Sequence, residues 1–366
     1  ASASLGPLLA CPPFLRQPIP RTLPPLSELA IRPFDQIIDV RSPAEFALDH
    51  VPGAINLPAM SNDERARVGT IYVQEDPFKA RKIGAAIVAR NVATHLEGPL
   101  SDKEGSDKPL VYCWRGGQRS GSVAIILKQI GWRADTIEGG YQAYRRLVSK
   151  ALYGGTMPCP VVVIDGGTGT AKTRLLDHLA QQGAQTLDLE AIAEHRGSLF
   201  GPMGDTQPSQ KAFESRLAMG LAKLQPNRPV YVEAESSKIG RLIIPPVLWQ
   251  AMIAAPNLRL TAPLAARVDH LISAYPDMRA DDTKLHTVLD MLTRYHGYEK
   301  VARWKALSIS RDYAALTRAL IETHYDPRYR RLSRAHPSAA KDIALPDLTD
   351  QTLAATATQI IASETP

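Results

Sequence analysis

Short apolar runs bounded by glycine and proline alternate with longer amphipathic stretches, the order that builds parallel sheets from strand, loop and helix units. The run QIIDV from Gln36 to Val40 reads as a short buried strand, PAEF after it opens a helix, and Pro52 with Gly53 marks a turn. PLVYC, Pro109 to Cys113, is a second strand; it ends in glycines and leads into SVAIILKQIG, where Val123, Ile126, Leu127 and Ile130 recur at helical spacing. VVVID, Val161 to Asp165, starts a fresh unit, with a glycine-rich turn and then a helix carrying Leu175, Leu176 and Leu179 on one face. PVYVE, Pro229 to Glu233, is a further strand ending in an acid. From about Leu264 the pattern turns helical, with Leu285, Val288, Leu289, Leu292 and Tyr295 as a stripe.

These patterns divide the chain into an irregular leader over 1–30, an α/β domain over 31–149, a linker over 150–160, a second α/β domain over 161–280 and a mainly helical region over 281–366. The leader reading rests on Pro12, Pro13, Pro18, Pro20, Pro24 and Pro25, since proline sustains neither helix interior nor central strand. A length of 366 residues agrees with more than one core. The three cysteines, Cys11, Cys113 and Cys159, lack metal-ligand spacing and suggest neither a disulfide framework nor a zinc site. No apolar run approaches the roughly 20 residues of a membrane span, so the expected location is the cytoplasm. The formal charge of +6 suits a polyanionic partner without proving one.

Two segments carry chemistry. In CWRGGQRS, Cys113 stands at the carboxyl end of a strand, where open α/β sheets hold ligands, with Gly116, Gly117 and a helix start behind it. Backbone N–H groups of such a loop stabilise an anion on sulfur, and Arg115 and Arg119 add positive charge if they face inward. Gly166, Gly167, Thr168, Gly169, Thr170, Ala171, Lys172 and Thr173 form a phosphate-binding loop in which Lys172 reaches terminal phosphates and Thr173 offers a hydroxyl that could ligate Mg²⁺. The departure is Ala171, where the motif has its last glycine; it bears on the loop conformation there. Glu233 occupies a place where such folds carry an acid, for a metal, a helix cap or an arginine. His195, Arg196, Glu235, Ser236 and Arg241 lie in polar clusters beside turns and are candidate substrate-binding residues.

The Cys113 loop and IIDVRSPAEFALDHVPGAINLP, Ile37 to Pro58, resemble the rhodanese family, whose signature includes Asp39, Arg41, Glu45 and His50, read here as braces of the fold. A rhodanese-like parallel-sheet domain followed by a phosphate-loop α/β domain with a helical C-terminal portion resembles the tRNA 2-selenouridine synthase family. The segment from Asn62 to Ala85, HRGSLFG, EAESSKIGR and HYDPRY from His324 to Tyr329 resemble motifs of that family too.

The resemblance implies a transferase acting on tRNA that carries 2-thiouridine at the wobble position. The thio group is geranylated with geranyl diphosphate, and S-geranyl is then replaced by selenium from selenophosphate, with no tightly bound cofactor. Cys113 would carry or help deliver selenium, and Leu199, Phe200 and Met203 offer apolar side chains for a geranyl pocket. Arg294, Arg303, Arg311, Arg318, Arg328, Arg330 and Arg331, with Tyr295, Tyr298, Trp304, Tyr325 and Tyr329, offer tRNA phosphate contacts and stacking. Two rival readings use the same residues: a nucleotide-dependent kinase or GTPase with a regulatory rhodanese domain, and a persulfide relay protein.

Overall fold

The computed structural model describes residues 20–31, 34–201, 206–335 and 340–364, and the chain divides into two units, Ala1–Gly154 with Glu214–Lys223, and Gly155–Phe213 with Leu224–Pro366.

The first unit follows the order β1 (Pro20–Arg21), α1 (Leu26–Ala30), β2 (Gln36–Asp39), α2 (Pro43–Leu48), β3 (Ile55–Asn56), α3 (Asn62–Gln74), α4 (Pro77–Glu97), β4 (Pro109–Tyr112), α5 (Gln118–Gln129), β5 (Asp135–Ile137) and α6 (Gly140–Tyr153). Its five strands are all parallel, in the order β1-β5-β4-β2-β3. The central strands are apolar on both faces because helices cover both: Ile38, Val40 and Val111 pack with Val123 and Leu127 of α5 and with Val88 and Val92 of α4. Ser61 and Glu64 cap α3 reciprocally.

The second unit holds β6 (Val161–Gly166), α7 (Lys172–Gln181), β7 (Gln185–Leu187), α8 (Leu189–Ala193), the start of α9 (Gln210–Leu221), β8 (Val230–Glu233), the short hairpin β9 (Lys238–Ile239) and β10 (Leu242–Ile243), α10 (Pro246–Ala254) and β11 (Asn257–Thr261). A helical layer follows: α11 (Leu264–Ala274), α12 (Pro276–Ala280), α13 (Asp282–Met291), α14 (Thr293–His296), α15 (Tyr298–Ile309), α16 (Tyr313–Leu320), a π-helical turn over Ile321–Tyr325 and α17 (Asp326–Ala335). The chain then returns as β12 (Ala340–Ala344) and α18 (Asp350–Glu364). The main sheet is again all parallel, ordered β12-β11-β6-β8-β7.

Several expectations change. The prolines do not keep 20–30 irregular: Pro20 opens an edge strand that needs no donor from it, and Pro25 sits just before α1, whose first turn has unpaired N–H groups anyway. Residues 1–19 lie outside the described residues. The expected linker at 150–160 begins inside α6, which runs to Tyr153 because Tyr144, Val148 and Leu152 are buried on one helical face. The region 281–366 is mainly helical as expected, with one strand among its helices. Residues 340–344 supply the fifth strand of the sheet, and Leu353, Ala357 and Ile360 of α18 join the core with Leu175, Leu176 and Leu179. Tyr295 leaves the predicted stripe, since α13 stops at Met291 and its ring is 48% exposed.

Candidate functional site

The phosphate loop leaves β6 at Gly166 and enters α7 at Lys172. Ala171, standing where a glycine is expected, takes the left-handed conformation a glycine would, at φ 62° and ψ 36°. That conformation costs an alanine about 1–2 kcal/mol, and its buried methyl packs into the sheet core. The sequence departure therefore leaves a glycine-like backbone. Thr170 Oγ1 donates to the Gly167 carbonyl at 2.9 Å, and Lys172 Nζ lies across the loop, donating to the Gly166 carbonyl at 3.0 Å. The first N–H groups of α7 have no partner within the helix, and a helix start that carries a lysine is suited to an anion.

Carboxylates gather beside this loop. Thr173 Oγ1 donates to Glu190 at 3.2 Å, and the fully buried Glu233 accepts the Leu189 N–H at 3.1 Å, securing the start of α8. Burial, with Asp188 and Glu190 nearby, pushes Glu233 well above the usual carboxyl range. Burial and then the charge of Glu190 push Glu235 up to about 8, and burial raises Glu190 although Lys172 opposes it. Among the described residues no group of three or more His, Cys, Asp or Glu is placed to hold a metal ion.

Arg267 of α11, nearly buried, spans the loop and the helical layer. Its Nε and Nη2 donate to the Thr168 carbonyl at 2.9 and 2.7 Å, and Nη1 and Nη2 donate to Asp326 at 3.1 and 2.6 Å. Beside Thr168 opens an apolar cavity of about 80 Å³, or about 620 Å³ when the open solvent at its mouth is counted. Leu271, Ile272, Met278, Leu285, Leu316, Leu320 and Ile321 line it, with Phe200, Tyr275, Tyr313 and Tyr325.

The other predicted residues are placed as follows. His195 is buried, which lowers its pKa, and its Nδ1 accepts the Gly197 N–H at 3.1 Å. Arg196 stacks 4.7 Å over the Tyr275 ring and pairs with Asp277 at 3.2 Å, bracing the cavity wall. Phe200 reaches the cavity, Leu199 packs beside the helical core, and Met203 lies outside the described residues. Ser236 and Arg241 are exposed around the β9–β10 hairpin; Ser236 Oγ donates to the Lys238 carbonyl at 2.6 Å, and Arg241 bonds Gln207. Of the five aromatics grouped with the C-terminal arginines, only Tyr295 and Tyr298 are exposed. Trp304 is buried, Tyr325 lines the cavity and Tyr329 donates to Asp165 at 3.0 Å. Sequence reading missed Glu190 and Arg267 and gave Asp326 no role. The acid pair Asp188 and Glu190 at the carboxyl end of β7 was a usable signal.

In the first unit Cys113 follows β4 and is buried. Gly140, at φ +56°, approaches the loop so closely that a Cβ there would lie 2.3 Å from the Cys113 carbonyl oxygen. The α6 start accordingly grips the loop, Tyr141 N–H donating to Cys113 O at 2.9 Å and Gln142 N–H to Trp114 O at 3.1 Å. Burial pushes the thiol up. The Ser120 hydroxyl at 3.2 Å, the backbone N–H groups of Ser120 and Gly117 and the charge of Arg119 outweigh it and hold the pKa below its ordinary value.

The two arginines are not equivalent. Arg115 is exposed, while Arg119 donates to Glu45 at 3.1 Å, a carboxylate shared with Arg65, so its guanidinium engages Glu45 and only its field reaches the sulfur. Asp39 and Arg41 form a buried bidentate pair, Arg41 Nη2 reaching Asp39 at 2.6 Å and the Asp49 carbonyl at 2.6 Å. His50 bonds the Phe46 carbonyl at 2.9 Å. These are contacts within the fold.

Residues 25–147 match the model of the rhodanese-like domain, and residues 159–341 match the model described as the tRNA 2-selenouridine synthase AAA domain. The chain is 33% identical over 314 residues to the tRNA 2-selenouridine synthase of Nitrosomonas europaea, covering 84% of this chain and 81% of that one. It is 32% identical over 306 residues to the protein of the same name in Nitrosomonas eutropha, covering 81% and 78%. With that of Aeromonas salmonicida the identity is 37% over 258 residues, 69% of this chain and 68% of the other.

Proposed function

The chain belongs to the tRNA 2-selenouridine synthase family, and from that premise we propose that it geranylates wobble 2-thiouridine in tRNA with geranyl diphosphate and then exchanges S-geranyl for selenium from selenophosphate. The observation that carries the first step is the apolar cavity opening on the phosphate loop at Thr168. An amphiphile with a diphosphate head and a hydrocarbon tail matches a cradle of N–H groups and Lys172 beside a wall of leucine, isoleucine, methionine and aromatic side chains. A nucleoside triphosphate would meet the same cradle, but its polar base and ribose would find little to bond in that wall, which disfavours the kinase or GTPase reading.

In the first step the thiouridine sulfur attacks the geranyl C1, the C–O bond to diphosphate breaks, and the N3 proton is lost. Lys172 and the α7 N-terminus stabilise charge gathering on the departing diphosphate. In the second step the selenium of selenophosphate attacks C2 of the pyrimidine, the C2–S bond breaks and geranyl thiol, a better leaving group than the unalkylated sulfur, departs with a proton. Water then cleaves the Se–P bond, releasing phosphate and leaving 2-selenouridine with its N3 proton restored. Cys113, with its pKa held down in a loop of N–H donors, is suited to carry or hand over an anionic chalcogen.

The test is incubation of the purified protein with 2-thiouridine tRNA and geranyl diphosphate, then with selenophosphate, followed by nucleoside mass spectrometry. S-geranyl-2-thiouridine and then 2-selenouridine are expected. Absence of the geranylated nucleoside, with ATP or GTP hydrolysis by the same protein in a parallel incubation, would overturn the reading.

A further inference from the structure

One guanidinium links the phosphate loop to the helical layer of the second unit. Arg267 lies on α11, the helix that sends Leu271 and Ile272 into the cavity wall. Two of its nitrogens hold the Thr168 carbonyl, and two hold the Asp326 carboxylate. Asp326 is the residue immediately after the π-helical turn whose Ile321 and Tyr325 form the opposite part of the wall. Thr168 belongs at once to the phosphate loop and to the cavity rim. Such insertions of a π turn recur where a helix serves a ligand rather than packing alone.

A planar fork bonded on both edges fixes distance and angle together, which a lysine's single rotatable ammonium does not. With the Thr168 carbonyl drawn toward α11, the peptide groups of the loop are oriented; with Asp326 drawn to the same guanidinium, the Tyr325 wall is held at a set distance from the loop. We propose that the Arg267–Asp326 fork is the positioning device that couples recognition of the diphosphate head to recognition of the hydrocarbon tail, so that the tail adds to affinity only when the fork is intact. This rests on the reading of the cavity as a hydrocarbon site.

The coupling is read by isothermal titration of the full chain with two probes, inorganic pyrophosphate and geranyl diphosphate. The informative quantity is the ratio of their dissociation constants, which a loss of general stability would not change selectively. In wild type geranyl diphosphate should bind more tightly than pyrophosphate. Asp326→Asn keeps the shape but removes the charge from one side of the fork. It should leave pyrophosphate affinity within about threefold while lowering the geranyl advantage about tenfold or more, the range of a lost charge-assisted hydrogen bond. Arg267→Lys, which retains charge and loses the fork, should lower the ratio similarly, and thermal melts of both variants confirm folding. An unchanged ratio in either folded variant, whether both ligands weaken equally or neither does, overturns the coupling. Equal affinity of the two probes in wild type overturns the hydrocarbon reading of the cavity and the coupling with it.

Discussion

Replacing Ser120 by alanine should raise the Cys113 pKa by about one unit, and the size follows from a count of protons. Ser120 Oγ lies 3.2 Å from Cys113 Sγ and 3.2 Å from the Gly117 carbonyl, yet it owns one proton. While the thiol is neutral that proton can serve the carbonyl, and once sulfur is ionised it serves the thiolate. The hydroxyl therefore contributes only the difference between a charge-assisted bond of about 1.5–3 kcal/mol and a neutral one of about 0.5–1.5 kcal/mol. A difference of about 1–1.5 kcal/mol corresponds to about one pKa unit. The backbone N–H groups of Ser120 and Gly117 remain in the variant, so the thiolate is weakened rather than lost. The assay is the pH dependence of alkylation by iodoacetamide, in a background with Cys11 and Cys159 changed to alanine. Wild-type reactivity should rise at lower pH than that of Ser120→Ala. A midpoint that stays in place or falls would refute the assignment of Ser120 as the donor that responds to ionisation.

Four further outcomes are expected. Cys113→Ala should retain geranylation and lose selenation in the nucleoside assay; full selenation would remove Cys113 from the second step. Lys172→Ala should slow geranyl transfer by about 10- to 150-fold, the equivalent of 1.5–3 kcal/mol at the transition state, with an unchanged circular dichroism spectrum. Glu235→Gln should raise the melting temperature more as pH rises: a folded pKa of about 8 above an unfolded value near 4.5 means that the stability of the protonated form is complete below the lower value and lost through the upper one. Equal shifts at pH 5 and pH 8 would contradict the burial of that carboxyl. Changing the exposed Arg328, Arg330 and Arg331 to alanine should weaken tRNA binding and flatten its salt dependence by about one logarithmic unit per lost phosphate contact; an unchanged slope would move the tRNA surface elsewhere.

The readable parts of the molecule were those set by neighbours in sequence. A buried β-branched run, a glycine turn and a helix with a leucine face announce themselves within twenty residues, and they located Cys113 just after β4 and Lys172 at the start of α7, past the loop that follows β6. Arg267 was unreadable because its meaning lies 99 positions away at Thr168 and 59 away at Asp326. Tyr329, met first as a nucleic-acid candidate, spends its hydroxyl on Asp165, 164 positions distant. The strand at 340–344 was hidden for another reason: as an edge strand carrying Lys341 and Asp342 in exposed positions, it lacks the continuous apolar run that betrayed the central strands. Ala171 shows the converse, a broken motif whose backbone nevertheless took the motif's shape.

The pairing of β11 with β12, Asn257 beside Ala340 through Thr261 beside Ala344, has an architectural consequence. Two parallel neighbours require the chain to cross back over the sheet, and about a dozen residues are enough for that. Here the return journey contains everything from α11 to α17. Most of the cavity's lining, from Leu271 to Tyr325, thus belongs to an enlarged crossover whose two feet stand on one sheet edge, and doubling a connection's length adds only about 0.6 kcal/mol of closure entropy. Insertions or deletions in that crossover can enlarge or shrink the chamber while the strand that carries the phosphate loop keeps its register. Chamber size can therefore vary, in natural relatives or by design, as long as the Arg267–Asp326 tie between the crossover and the loop is kept.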